Sequence, residues 1–364
     1  MLLFFLVQRR FYLRTIAWDF IAFGFILLWA YGLILGFLSG NKLSYIVANN
    51  AGMVLYFVYY LLLQFRIPKE KIYKLAIYAG VSIGCITVLL FIFSFTNIPA
   101  NFLFFLGEFT GGSSTGQRRI YFVSQISLFP ALALYMSAFI ASRYQKLEYF
   151  DVRNLKQNIR VFFAFMFFTM CVMFFTASKG FMLGYLFILF TLPFALFFRG
   201  FYHGYINKKI IFFLVLLVIL VVLLLSFGYF NIITATFDNK DEANIRRYEQ
   251  LFYLLQDLTI WGKGLGAVIP GYSRNLDKPY GFELSYLSLI HKFGIFGIVA
   301  VLLYLVIIFK AIANVIIGYN VRYAITAIGC MCYLLPSIGN PLLFAPQAVV
   351  LNCLALYLLR KEKS

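Results

Sequence analysis

Apolar runs of about 18 residues or more follow one another along most of the chain, separated by short polar clusters, and runs of that length predict membrane-spanning helices. Ten spans are expected, at roughly 16–38, 43–65, 73–96, 120–142, 161–178, 180–198, 210–230, 284–309, 322–340 and 342–359. The fold class is therefore all-α: a polytopic integral membrane helical bundle forming one domain over 1–364, with a larger outer loop at 231–282. In that loop, ANIRRYEQLFYLLQDL repeats apolar residues at intervals of three and four, at Ile245, Tyr248, Phe252, Leu255 and Leu258. That spacing predicts an amphipathic helix lying on the membrane surface, with Arg246, Glu249, Gln250, Tyr253 and Asp257 on its polar face. The acidic DNKDE before it suits a helix N-terminus.

Composition strengthens this picture. The 364 residues are 63% hydrophobic and 12% charged, against about half and a quarter for a soluble domain. The leading apolar stretch LLFFLV is too short for a signal peptide, and Arg9, Arg10 and Arg14 follow it, so the first span is expected to act as an uncleaved anchor. Five cysteines all fall inside spans and read as small core residues. With only two histidines besides, no metal site is expected, and nothing in the sequence calls for another cofactor.

Charge supplies the orientation. The net charge of +18 is scattered over short loops, which points to membrane topology and not to nucleic acid. Of 31 Lys and Arg residues, 20 fall in alternate connections, namely RRFYLR, RIPKEKIYK, RYQKLEYFDVRNLKQNIR, RGFYHGYINKK, the Lys310–Arg322 link and RKEKS. The positive-inside bias makes these cytoplasmic, with both termini inside. The cations left on the other side include Arg118, Arg119, Lys179, Arg246, Arg247 and Arg274, and they are the best functional lead.

Several motifs need weighing. GGSSTGQRR approaches a phosphate-binding loop, but Gln117 stands where the lysine belongs and no strand precedes it, so nucleotide binding is rejected. It reads instead as an outer loop presenting Arg118 and Arg119, or simply as a helix cap. GKGLG at 262–266 is a turn whose glycines serve the backbone. ASKG at 177–180 makes a short outer turn, in which Lys179 either snorkels or faces an anion. Arg246 can bridge to Glu249, but that leaves Arg247 unexplained, and paired arginines suit a phosphate. Glu283 is the acid at the outer start of a span, placed either as a helix cap or as a general base beside an anion site. His291, Lys292, Tyr253 and Arg274 are secondary candidates; ionisable groups within a span are functional suspects by default.

Taken in order, these stretches resemble the bacterial O-antigen polymerase and ligase superfamily. FFTASKGFMLGYLF is similar to the family's serine–arginine–glycine hairpin, with Lys179 in place of the arginine. RRYEQLFYLLQDLTIWGKGLG is similar to its arginine-led amphipathic segment, ELSYLSLIHKFGIFG to the outer start of the next span, and GQRRIYFVSQ more weakly to an earlier arginine at a span's mouth. Together they cover the central two-thirds of the chain. The ligases tend to carry a histidine where this chain has Glu283, which favours polymerase. The resemblance thus implies a Wzy-type polymerase of the bacterial inner membrane, acting on undecaprenyl-pyrophosphate-linked glycans at the periplasmic face without a metal. Arg246, Arg247, Arg118, Arg119 and Lys179 would hold pyrophosphate and Glu283 would take the proton. A chain-length regulator and a flippase are implied as partners. Two alternatives stay open: a ligase transferring glycan to lipid A-core, and a lipid-linked glycan transporter, against which the lack of an internal repeat counts.

Overall fold

A computed structural model of the chain describes residues 18–93, 120–144, 155–176, 178–204, 242–273 and 278–361. Among them the regular elements are helices: α1 (Asp19–Leu38), α2 (Leu43–Met53), α3 (Phe57–Gln64), α4 (Lys69–Phe93), α5 (Leu128–Tyr144), α6 (Leu155–Met170), α7 (Lys179–Tyr202), α8 (Glu242–Gln256), α9 (Ser285–Phe293), α10 (Ile295–Ile317), α11 (Val321–Met331) and α12 (Pro346–Leu359). Among the described residues, seven stretches are long and apolar enough to cross a membrane: Asp19–Leu38, Leu43–Gln64, Lys69–Phe93, Val123–Ile140, Lys179–Tyr202, Ile295–Ile317 and Val321–Ile338. The chain is a membrane-embedded helical bundle. Apolar stretches at Ile159–Phe175 and Pro346–Leu359 are shorter than the spans expected at 161–178 and 342–359, with which they overlap. The span expected at 210–230 lies outside the described residues.

Large apolar residues cover the outward faces of the helices, and small ones recur on the inward faces, unlike a soluble helix. On α1, Ala22, Gly32 and Gly36 are buried with Phe25, while Phe20, Phe23, Leu27, Ile34 and Phe37 are exposed. In hydrocarbon the exposed face costs nothing, and close approach of backbones supplies the packing. The centre is formed by the stretches at 123–140 and 321–338, of which 72% and 78% is buried, against 28% for α1, α4 and α10. They meet at Gly329, where a Cβ would stand 2.6 Å from Pro130 Cα.

One expected span proves to be two helices. The run 284–309 breaks at Gly294, whose φ of 59° and ψ of −135° favour glycine, into the short α9 and the spanning α10. The apolar run concealed an amphipathic segment: α9 buries Ser285, Ser288, His291 and Lys292 against protein and does not cross lipid. The break also makes room for the segment after α8, because a Cβ on Gly294 would lie 2.0 Å from Ile260 O. Ile295 N–H donates to Ile260 O at 2.9 Å.

That segment, 260–266, straps the bundle together. Lys263 N–H donates to His291 O and Gly264 N–H to Lys292 O, both at 2.9 Å, while Leu265 N–H donates to Gly32 O at 2.8 Å. Asn41 Nδ2 donates to the Lys263 and Leu265 carbonyls, each at 2.9 Å. Gly262, Gly264 and Gly266 hold φ of 84°, 79° and 76°, and a Cβ on Gly264 would fall 2.1 Å from Gly36 N. GKGLG is the turn expected of it, and backbone approach is the reason for its glycines.

At the opposite end of α1, Asp19 is buried and meets Arg360, just past α12. Arg360 Nε donates to Oδ1 at 2.9 Å and Nη2 to Oδ2 at 3.1 Å, and Tyr59 OH donates to Oδ1 at 2.5 Å. Lys69 Nζ donates to Arg360 O. Arg322 pairs with Glu70 at 3.0 Å, and Gly318 packs near His203 and Arg199. The loops at 64–70, 199–204 and 318–322 and the segment at 360–361 therefore gather at one end of the bundle, opposite the strap.

Candidate functional site

The site forms where α8 docks on the start of α9. Helix α8 turns Gln250 and Leu254 inward, both fully buried, and leaves Ile245, Tyr248, Phe252 and Leu255 exposed. The expected apolar face is thus open to the surroundings, as for a helix at a lipid surface. Position 247, one turn before Gln250, lies on the inward side. Arg247 Nε donates to Glu283 Oε2 at 3.1 Å. Their side chains are 33% and 23% exposed, so the pair is reachable. Gln250 Oε1 accepts from the N–H groups of Glu283 and Leu284 at 3.0 and 3.1 Å.

A turn at Pro336–Asn340 joins this pair to α7. Ser285 Oγ donates to Asn340 O at 2.6 Å and Asn340 Nδ2 donates to Pro336 O at 2.9 Å. A Cβ on Gly339 would lie 3.7 Å from Arg247 Nε. On the same turn, a Cβ on Gly180 would lie 2.9 Å from Pro336 Cα and 3.2 Å from Asn340 Nδ2. Lys179, exposed at the first position of α7, is therefore carried by an element that touches the turn Arg247 also approaches. Tyr121 completes the setting. Burial first, and then the Glu283 charge, pushes its phenol up to about 12.

A second polar cluster lies farther along α9. Asp257 accepts from Lys263 Nζ on Oδ1 and pairs with His291 Nε2 on Oδ2, both at 2.8 Å. Burial opposes the Asp257 charge, but the hydrogen bonds from His291 and Lys263 outweigh it and hold the carboxyl below its usual range. Burial, then the Lys292 and Lys263 charges, lowers His291 despite Asp257. A neutral imidazole with its proton on Nε2 fits, and His291 Nδ1 is buried with no hydrogen-bond partner. Lys292 is also buried; it donates to Tyr280 O at 3.0 Å and sits over the Phe282 and Phe344 rings at 5.2 and 4.8 Å. Desolvation lowers its amine to about 7.

Of the residues expected from sequence, the structure brings Arg247 and Glu283 into contact and sets Lys179 on the adjoining helix. It separates the arginine pair: Arg246 is exposed on the other side of α8, where its carbonyl accepts from Tyr272 OH at 3.0 Å. Tyr253 stacks on Tyr272, with centroids 5.0 Å apart. Gln250 and Asp257, expected on the polar outer face, turn inward instead, because the helix buries a polar stripe against α9. His291 and Lys292 belong to the buried cluster behind the pair. Arg118, Arg119 and Arg274 lie outside the described residues, although Ile120, next to Arg119 in the chain, donates its N–H to Phe175 O at 2.9 Å. Tyr121, Ser285 and Asn340 were missed, since a lone tyrosine, serine or asparagine carries no spacing signal. A groove of about 250 Å³ between α1 and α10, lined by Gly24, Leu28, Tyr31, Phe296 and Leu303 among others, is apolar and none of the site residues lines it.

No family model and no curated protein matches the chain.

Proposed function

We propose that the chain is a Wzy-type polymerase, joining oligosaccharide repeat units carried on undecaprenyl pyrophosphate at the periplasmic face of a bacterial inner membrane. The observation that carries this reading is the 3.1 Å contact of Arg247 with Glu283. It unites the arginine-led segment and the following span, two of the stretches on which the family resemblance rests. The turn shared with α7 adds the third stretch.

In this reading an acceptor hydroxyl attacks the anomeric carbon of the donor glycan. The bond to undecaprenyl pyrophosphate breaks, the pyrophosphate leaves with the electron pair, and Glu283 takes the hydroxyl proton. One displacement inverts the anomeric centre. Arg247 borders the carboxylate and stabilises the departing anion electrostatically, aided by Lys179 from α7. Sidedness is supported by the gathering of basic loops at the end of the bundle away from Glu283. A cysteine at Ser39 should react with an impermeant thiol reagent in intact cells and one at His203 should not; the opposite pattern would invert the topology and sink the periplasmic site.

The decisive assay is polymer formed by purified protein from the lipid-linked repeat. Glu283→Gln should lower turnover by about 10²–10⁴ with binding kept, the usual cost of losing a general base. Near-normal polymer from that variant would overturn the role of Glu283. In a deletion strain, a surface glycan collapsed to one repeat supports a polymerase, whereas long chains left unattached would make the protein a ligase.

A further inference from the structure

Helix α9 starts without a cap of its own. Its N-cap is Leu284, which has no side-chain oxygen, and no side-chain capping bond is made there. The N–H groups at a helix start have no acceptor within the helix and must find one elsewhere. Gln250 of α8 holds the lead-in to the helix instead: fully buried, it accepts on one amide oxygen from the N–H of the N-cap Leu284 and from that of Glu283 just before it. Its Nε2 is buried and has no hydrogen-bond partner, so what the side chain contributes by hydrogen bonding it contributes as an acceptor. Arg247 is three residues earlier on the same helix, and positions three apart share a face. One helix therefore holds both the cation that meets the Glu283 carboxylate and the backbone from which that carboxylate extends. A buried glutamine does similar work on the other approach to the site. Gln125 Oε1 accepts from Phe122 N–H at 3.2 Å and Nε2 donates to Ile120 O at 3.0 Å, fixing the segment that bears Tyr121.

We propose that Gln250 is a positioning residue for the base: it sets the place of the Glu283 carboxylate relative to Arg247 by anchoring the start of α9 to α8. This rests on the polymerase reading given above. An error of about 1 Å in a reacting group can cost on the order of 10²-fold in rate. Gln250→Met fills the same volume without an acceptor. Gln250→Glu keeps an oxygen acceptor at the same reach but exchanges the unpartnered N–H donor for a carboxyl that can ionise beside Glu283.

The test joins polymerisation kinetics on the purified protein to hydrogen exchange at the Glu283 and Leu284 amides. Gln250→Met should lower kcat about 10–100-fold, leave KM for the lipid-linked repeat within about threefold, and speed exchange at both amides. Gln250→Glu should restore protection at both amides, whatever its added charge does to kcat. Wild-type kcat in Gln250→Met, or exchange in Gln250→Glu as fast as in Gln250→Met, overturns the proposal. Unchanged protection of the two amides in Gln250→Met sinks the anchor by itself. Wild-type kcat in Glu283→Gln instead removes the base, and the catalytic role of Gln250 with it, even where exchange shows the anchor intact.

Discussion

Two ion pairs, one at each end of the bundle, use the same chemistry differently. Asp19 and Arg360 form a two-pronged pair with Asp19 4% exposed and Tyr59 added to the carboxylate. Arg247 and Glu283 meet through Nε and one carboxylate oxygen, with 33% and 23% exposure. The first geometry binds its partners to each other and closes three helices. The second leaves both side chains partly exposed, where a third group can reach them. A buried charge pair is costly to break and need not stabilise much while intact, whereas an open pair contributes little to stability either way. Strength of pairing thus distinguishes the structural joint from the exposed pair proposed to react.

The comparison breaks most easily at Asp19. Asp19→Ala leaves Arg360 without its carboxylate, and removing one partner of a buried pair typically costs about 3–5 kcal/mol. Thermal unfolding in detergent should show a large drop; an unchanged midpoint would put the two pairs in one class. At the other end the glycine strap is the rigid part. Gly264→Ala combines a left-handed φ with a Cβ driven into the Gly36 backbone and should cost about 2–4 kcal/mol. If it melts like wild type, the strap does not carry the docking of α8 and α9.

Lys292 gives a pH signature. Burial holds its folded amine at about 7, below the ordinary lysine value of 10.5, so the unfolded chain binds more protons between those values. Stability should therefore rise with pH through that window and fall as pH drops towards 7. Lys292→Met should remove on the order of 2 kcal/mol of this dependence, read as the difference between the melting curves of wild type and variant from pH 7 to 9.5. Parallel curves would mean the amine is hydrated. The smallest stability effect belongs to Arg247→Lys, below about 1 kcal/mol. Its turnover should nonetheless fall well below that of Arg246→Lys, because the planar fork is lost beside Glu283, the proposed base. Equal turnover in the two variants would erase the distinction drawn between the arginines.

Much of the fold was legible because a bilayer imposes length and apolarity on each span, and those are local properties of sequence. α1 and α4 begin and end within a few residues of expectation. The break at Gly294 was not legible, because IHKFGIFG keeps an apolar average while its polar positions turn inward against protein. For the site, the cations defying the orientation bias led to Arg247, and the acid at a span's start led to Glu283. Which arginine of the pair faces inward depended on the rotation of α8, set by burial of Gln250 and Leu254. No periodicity of apolar residues reveals a buried polar stripe. Asn340 and Tyr121 reach the site through tertiary approach alone.

The joint between Asp19 and Arg360 also has a consequence for how the protein is made. Helices enter the bilayer in the order of synthesis, and Tyr59 follows Asp19 early, but Arg360, the cation that matches it, arrives hundreds of residues later. Besides the ion pair, Trp18 Nε1, just before α1, donates to Leu356 O at 2.9 Å. Until α12 emerges from the ribosome, Asp19 must wait at the margin of the lipid or be shielded by the insertion machinery. A carboxylate drawn towards the bilayer centre costs several kcal/mol. The nascent α1 is thus held near one interface, tethered by its own unmatched charge, until α12 and Arg360 complete the joint.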